Sequence, residues 1–217
     1  MAGIINDGRF GGVYYLYGDA GSGKSRLLHE MWVQFEKEGS LAGFHFTHAD
    51  GILRRSMNPF TDFFSNLYSE ADPVEKLLAD LSAAPDSPAK AATAHELSRT
   101  RSMLAAMAGV DVSGTLYEEL DARGRFDNTL IAITEFFKAQ AILRPTVLVL
   151  EDIHWIDSDS LAIMEQLLRG AEHLPLIALV SSRYNDDGSS PTLRLDSAIP
   201  TRELKLGGLP AEALMAI

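Results

Sequence analysis

The sequence lacks several features that would each define a class of protein. It has no cysteine, which excludes disulfide bonds and thiolate metal sites and is compatible with a reducing cytoplasm. It has no apolar run approaching the ~20 residues of a membrane-spanning helix, and no basic, apolar leader at its N-terminus. Lys and Arg total 19 against 30 Asp and Glu, and this net charge of −11 argues against a general nucleic-acid or membrane surface. We therefore expect a soluble, cytoplasmic protein that contacts neither nucleic acid nor membrane directly.

Residues 18–25, Gly-Asp-Ala-Gly-Ser-Gly-Lys-Ser, fit the phosphate-binding pattern G-x-x-x-x-G-K-[ST]. Glycines let the backbone turn with positive φ and point its N–H groups at phosphate oxygens. Lys24 would then reach the β- and γ-phosphates of ATP, and the Ser25 hydroxyl would coordinate Mg²⁺. The predicted nucleotide-binding residues are Gly18, Asp19, Ala20, Gly21, Ser22, Gly23, Lys24, Ser25 and Arg26. An ordinary glycine-rich turn is the alternative interpretation.

The context of this pattern is the strand–loop–helix arrangement that phosphate binding requires. A β-branched and aromatic run at 13–17 precedes it, and apolar residues at helical spacing follow it up to Gly39. Further strands are predicted at 42–47, 146–150 and 176–180, with a short edge strand at 202–206. Helices are predicted after Asn58-Pro59 and Asp72-Pro73, up to Gly109, up to Pro145, and after Asp157 or Ser158. The small and polar residues at 82–94 predict a surface loop.

Alternating strands and helices predict an α/β fold of the P-loop NTPase type. We expect a mostly parallel five-stranded sheet with helices on both faces and a helical insertion at about 52–125. A length of 217 residues, 46% of them hydrophobic, suits one domain that spans 1–217. The chain stops at Ile217 inside a predicted helix, and we expect it to be a fragment that ends where a helical lid region begins.

Two acids follow the apolar strand 146–150 and form the second candidate element of a site. Glu151 and Asp152 would lie at the carboxyl edge of the sheet, where α/β folds bind ligands. One carboxylate can hold Mg²⁺ through water, and the other can orient the water that attacks the γ-phosphate. The usual order after such a strand is Asp and then Glu, whereas here it is Glu and then Asp. The order along the chain assigns Glu151 to the metal and Asp152 to the water. Residue type alone would suggest the reverse. Capping of the next turn is the structural alternative.

Arg183 follows the strand 176–180 and is the third candidate element. An arginine there could sense the γ-phosphate or neutralise charge in the transition state. A solvated surface arginine is the alternative that the residue alone leaves open.

Residues 151–161, Glu-Asp-Ile-His-Trp-Ile-Asp-Ser-Asp-Ser-Leu, closely resemble the E-D-x-H-W-x-D-x-x-S-L segment of STAND-type ATPases. Such domains precede LuxR-type helix-turn-helix regions in large transcription activators or accompany adenylate/guanylate cyclase domains. The resemblance extends to 18–28, to Asn58-Pro59-Phe60, to the strand that ends at Arg183, and to 204–212, which looks like the entry to the family's lid. It implies that Arg183 is a sensor arginine.

The resemblance implies a domain that binds Mg·ATP, hydrolyses it slowly and uses the nucleotide as a switch in signalling or transcription regulation. Lys24, Asp152 and Arg183 would be the catalytic residues, and Ser25 and Glu151 would hold the metal. Implied partners are a fused or neighbouring helix-turn-helix or cyclase domain and a nucleotide-dependent oligomer. A P-loop kinase that phosphorylates a small molecule and a nucleotide-binding module without turnover are the alternatives.

Other suggestive residues receive structural interpretations. We expect His154 and Trp155 to pack or hydrogen-bond beneath the site, and the Phe60, Phe63 and Phe64 stripe to lie in the core. The spacing of His45 and His48 lacks an accompanying acidic pattern, so we do not expect a metal site there.

Overall fold

A computed structural model of the chain describes residues 10–38, 42–46, 56–69 and 72–207. Its strands are β1 (Gly12–Tyr17), β2 (Ala42–Phe46), β3 (Thr146–Leu150), β4 (Leu176–Ser182) and β5 (Thr201–Lys205). Its helices are α1 (Lys24–Glu38), α2 (Asn58–Leu67), α3 (Pro73–Ala83), α4 (Pro88–Met107), α5 (Leu116–Glu119), α6 (Ala122–Leu143) and α7 (Ser158–Arg169). A 3-10 turn at Ile153–Trp155 follows β3. The sheet has the order β2-β3-β4-β1-β5, and each neighbouring pair is parallel.

The central strands are buried along their whole length because helices cover both faces of the sheet. Every residue of β1, β3 and β4 is buried, as expected for apolar runs in a parallel sheet. On one face, Leu28 of α1 packs with Tyr14, Leu16 and Val149. The opposite face packs against the helices that follow β2 and against α7. The α/β P-loop fold predicted from the sequence is confirmed, and β5 is the exposed edge strand that its alternating sequence predicts.

Five phenylalanines join α2 to α6 in the larger core. Phe64 stacks edge-on against Phe136 with ring centroids 5.2 Å apart, and Phe136 stacks edge-on against Phe137 at 5.3 Å. Phe60 and Phe64 are fully buried, and Phe63 packs beside them. The aromatic stripe of α2 is therefore core, as predicted.

The predicted loop at 82–94 is wrong at both ends, since α3 continues to Ala83 and α4 begins at Pro88. Ser87 is the N-cap, and its side chain accepts a hydrogen bond from Lys90 N at 3.1 Å. Proline is favoured at the first helical position, and the alanines that follow are the strongest helix formers. The small residues of this stretch form a helix start rather than a loop.

Some predictions fall on residues outside the described ranges, namely the helix after Gly207, His48 and Gly39. Within the described ranges, no group of three or more histidines and acids is arranged to hold a metal ion. None of the helices in that part of the chain combines the length and apolarity needed to cross a membrane. The domain boundaries and the extent of the helical insertion stay predictions.

Candidate functional site

The strand order brings three predicted segments to one edge of the sheet. The P-loop follows β1, the acids follow β3, and Arg183 follows β4, which lies between β1 and β3. Tyr17 at the end of β1 pairs with Ser182, and Leu150 at the end of β3 pairs with Val180. All three strands are parallel, so their carboxyl ends meet at the same edge, where α/β folds bind ligands.

The P-loop turns through two glycines with left-handed backbone, Gly21 (φ 76°) and Gly23 (φ 90°). Other residues are strained at such angles, so these glycines are required by the conformation of the loop. A Cβ built at either position would have no heavy atom within 4 Å, so the space beside each is open to a ligand. Leu27 N donates to Gly23 O at 2.9 Å and starts α1 directly after the loop. This loop and helix N-terminus fit a bound phosphate.

Lys24 is buried at the centre of this loop, with 7% of its surface exposed. Its Nζ donates to Gly18 O at 2.7 Å and to Asp19 O at 2.9 Å. An ammonium has three donors, so one N–H remains beyond these two bonds for a phosphate oxygen. Burial lowers the pKa of Lys24, while the nearby Asp152 opposes this shift and Arg183 adds to it. The lysine thus lies in the electrostatic field of both other predicted segments.

Ser25 and Glu151 meet although they are far apart in the sequence. Ser25 Oγ, in the first turn of α1, donates to Glu151 Oε2 at 2.6 Å. A hydroxyl and a carboxylate are both oxygen ligands of the kind that Mg²⁺ prefers, usually together with water and phosphate oxygens. These two residues fit the metal role that the sequence predicts for them.

Asp152 adopts a left-handed conformation, with φ 52° and ψ 50°. This backbone geometry is uncommon for a residue other than glycine and, when it occurs, tends to occur at functional sites. Asp152 N donates to Ser181 Oγ at 3.1 Å, and its carboxylate Oδ1 lies 4.0 Å from His154 Nδ1. The turn separates the two acids: the Glu151 carboxylate contacts Ser25, whereas that of Asp152 lies beside His154. The two acids therefore have different surroundings, as distinct roles would require.

Two serines at the end of β4 connect Arg183 to the turn formed by Glu151 and Asp152, here called the acid turn, and the sequence prediction missed both. Ser181 accepts from Asp152 N, while Ser182 Oγ lies 3.3 Å from His154 Nδ1 and donates to Arg183 O at 2.9 Å. Both serines are fully buried. The sequence does contain a signal for these contacts, namely two adjacent serines at the carboxyl end of an otherwise apolar strand.

His154 and Trp155 differ in their surroundings. His154 is mostly buried, and its Nδ1 lies within hydrogen-bond distance of Ser182 Oγ, as predicted. The prediction that Trp155 packs beneath the site is wrong, since 48% of its surface is exposed. In the 3-10 turn Ile153 takes the buried position, and the ring of Trp155 lies beside His154 with centroids 5.3 Å apart.

Arg183 is exposed at the end of β4, next in the sheet to the strand that carries the P-loop. No carboxylate lies within ion-pair distance of it among the described residues. The positive charge of Arg183 contributes to lowering the pKa of Lys24. Arg183 therefore lies close enough to the P-loop to reach the phosphate end of a bound nucleotide.

Asp157, five residues after Asp152, links the start of α7 to the helices that follow β2. It caps α7 by accepting from Ser160 N at 2.9 Å and from Ser160 Oγ at 2.6 Å. It also accepts from Met57 N at 3.0 Å, just before α2. Burial opposes ionisation of Asp157, but these hydrogen bonds outweigh it and hold the pKa below its ordinary value. Asp157 is thus the cap that the sequence predicts and also a contact to α2 that it does not.

Comparison with known proteins identifies the family. A search of curated protein sequences found no match. Among solved structures, VirB4 of Thermoanaerobacter pseudethanolicus is similar over 94% of this chain and 79% of its own, at 14% sequence identity and a TM-score of 0.39. The family model described as "AAA ATPase domain" matches residues 3–180, which is most of the chain and includes the P-loop and the acid turn. The chain belongs to the AAA ATPase domain family.

Proposed function

We propose that this AAA ATPase domain binds Mg·ATP and hydrolyses it slowly as a nucleotide switch. The observation that carries the proposal is the 2.6 Å hydrogen bond between Ser25 Oγ and Glu151 Oε2. It joins the hydroxyl of Ser25 at the phosphate-binding loop to Glu151, the first acid after β3. Two oxygen atoms of the kind that bind Mg²⁺ therefore lie side by side. The ammonium of the buried Lys24 donates to the carbonyl groups of Gly18 and Asp19 in the same loop.

The surroundings of each residue support the role that we propose for it. Lys24 would bind the β- and γ-phosphates, because the loop already holds its ammonium among backbone groups. Ser25 and Glu151 would hold Mg²⁺, which when bound neutralises phosphate charge during the transfer. Asp152 would accept a hydrogen bond from the attacking water, and Arg183 would stabilise charge on the γ-phosphate.

The finer proposal is that the switch serves signalling or transcription regulation, in the manner of STAND-type ATPases. Its support is the sequence of residues 151–161, which resembles the acid-His-Trp segment of those proteins. On this proposal the nucleotide state is passed to a helix-turn-helix or cyclase effector domain, by way of a nucleotide-dependent oligomer in the cytoplasm. The hydrogen bond from Met57 to Asp157 supports such a relay, because it attaches the start of α2 to the N-cap of α7, five residues after Asp152.

The test separates binding from hydrolysis in two single variants. Asp152→Asn should keep Mg·ATP binding, measured by calorimetry, and should lose phosphate release by about 100-fold or more. Glu151→Gln should instead weaken the Mg²⁺ dependence of ATP binding, because it removes a charged metal ligand. Glu172→Gln is the matched control: this exposed acid precedes β4, at the opposite edge of the sheet, and should change neither property.

The outcomes distinguish the possible functions. The reverse pattern in the two acid variants would exchange their roles, and unchanged binding and turnover in both would refute the site. Phosphate release that depends on an added small-molecule acceptor would identify a kinase instead. Tight Mg·ATP binding without any phosphate release would identify a binding module.

A further inference from the structure

Three tyrosine rings form a stack beside the strand that leads into the P-loop. Tyr15 and Tyr17 lie on the same face of β1, with ring centroids 5.7 Å apart and planes 4° from parallel. Tyr184, the residue after Arg183, stacks on Tyr17 with centroids 5.7 Å apart and planes 28° apart. The stack therefore connects the last residue before the P-loop to the residue that follows Arg183.

Hydrogen bonds hold the two tyrosines of β1 in place. Tyr17 is fully buried, and its Oη donates to Pro191 O at 2.7 Å. Tyr15 is also buried, and its Oη accepts from Leu193 N at 3.1 Å. Both partners belong to the segment between β4 and β5. Since neither ring of β1 can turn without breaking one of these bonds, the two rings give Tyr184 a fixed surface to stack on.

The backbone on both sides of Arg183 is also held. Before it, Ser182 at the end of β4 donates from its Oγ to Arg183 O at 2.9 Å. After Tyr184, a turn is closed by a hydrogen bond from Asn185 N to Ser189 O at 2.8 Å. Tyr184 is half-buried, whereas Arg183 is exposed. The chain thus anchors the residue after Arg183 and leaves the arginine side chain at the surface.

The position of Arg183 matters because its effect on a bound phosphate depends on distance. The charge of Arg183 already contributes to lowering the pKa of Lys24. Displacement of a catalytic group by about 1 Å can cost roughly 100-fold in rate. Stacked aromatic rings prefer a defined geometry, so the contact between Tyr17 and Tyr184 sets a position as well as burying surface.

We propose that Tyr184 is a positioning residue that holds Arg183 at the phosphate end of the P-loop by stacking on Tyr17. This inference rests on the ATP hydrolysis proposed above and on the role of Arg183 in it. Tyr184 would act through the backbone of Arg183 and would not contact the nucleotide. Loss of its ring should therefore slow hydrolysis without weakening the phosphate contacts of Lys24 and the P-loop.

The test measures phosphate release by the whole chain at saturating Mg·ATP, together with ATP affinity by calorimetry. Tyr184→Ala should reduce phosphate release by about tenfold or more and change the affinity by less than about twofold. Tyr184→Phe keeps a ring that can stack on Tyr17 and should stay within about twofold of the wild type. In the Arg183→Ala background, Tyr184→Ala should change phosphate release by less than about twofold, because the residue that it positions is gone.

A second measurement requires no nucleotide. The heteronuclear ¹⁵N NOE of the Arg183 amide reports how firmly this part of the backbone is held. It should fall in Tyr184→Ala and stay at the wild-type value in Tyr184→Phe. Tyr117→Ala is the matched control, because Tyr117 is a half-buried tyrosine of α5 whose ring centroid lies 4.6 Å from Arg125 Cζ. It should leave both phosphate release and the Arg183 amide unchanged, even where the melting temperature falls.

The two measurements separate this inference from the proposed function. Normal phosphate release by Tyr184→Ala, no recovery in Tyr184→Phe, or an equally large loss in the Arg183→Ala background would each overturn the inference. An unchanged Arg183 amide in Tyr184→Ala would overturn it as well. Normal release by Arg183→Ala alone would refute the role of that arginine, and the inference with it, while leaving hydrolysis at the P-loop intact. If the wild type releases no phosphate, the proposed hydrolysis is wrong, and the Arg183 amide alone decides whether Tyr184 holds this residue.

Discussion

Replacement of Asp157 by alanine should destabilise the domain more than any ordinary surface substitution. The carboxylate accepts hydrogen bonds from Asp159 N and Ser160 N, from Ser160 Oγ, and from Met57 N. Loss of the helix cap costs about 1 kcal/mol. The backbone N–H of Met57 and the fully buried hydroxyl of Ser160 would each lose a partner, at about 1 kcal/mol apiece.

The three contributions give a total of about 3 kcal/mol. For a domain of this size that corresponds to a fall in melting temperature of roughly 6–12 °C. Urea unfolding followed by circular dichroism measures the same quantity as a change in midpoint at constant slope. Asp187→Ala is the matched control, because Asp187 is an exposed loop aspartate that also accepts from a backbone N–H. It should cost less than about 0.5 kcal/mol.

The pH dependence of Asp157 gives an independent check. Its pKa lies below the ordinary value in the folded state, so its ionised form stabilises the fold at neutral pH. This contribution is fully present above about pH 4, the ordinary aspartate pKa, and is lost as the pH falls further, through the lower pKa of the folded state. Asp157→Asn keeps a capping oxygen and should cost less than about 1 kcal/mol at pH 7. The difference in free energy of unfolding between Asp157→Asn and the wild type should become smaller as the pH is lowered from 6 to 3. Equal losses in Asp157→Ala and Asp187→Ala would refute the reasoning.

Three further predictions concern the phosphate end of the site and the sheet that carries it. Lys24→Ala should weaken ATP binding by about 1.5–3 kcal/mol in calorimetry while leaving the melting temperature within a few degrees of wild type. Arg183→Ala should reduce phosphate release more than ATP affinity, because its charge is needed most in the transition state; an equal loss of affinity would identify a ground-state contact. Gly12→Ala should destabilise more than Gly188→Ala, although their φ angles are 80° and 79°, because only at Gly12 would a Cβ meet the Pro200 carbonyl. Equal melting temperatures of the two glycine variants would exclude that steric effect.

The sequence predicted the parts of the site that depend on short segments. The P-loop pattern, the apolar strand before Glu151 and the cap at Asp157 each lie within a few residues, so local rules of turns, strands and caps suffice to find them. The parallel sheet followed from the alternation of strands and helices. The loop predicted at 82–94 failed because its small residues were given more weight than the Ser87-Pro88 helix start.

The contacts that the sequence could not predict are those that depend on strand order. Ser181 and Ser182 are near the acid turn because β4 lies beside β3, although about 30 residues separate them from Asp152 along the chain. The hydrogen bond from Met57 to Asp157 spans 100 residues. Neither follows from a local pattern, since pairing in a sheet and packing of helices are fixed by the tertiary core.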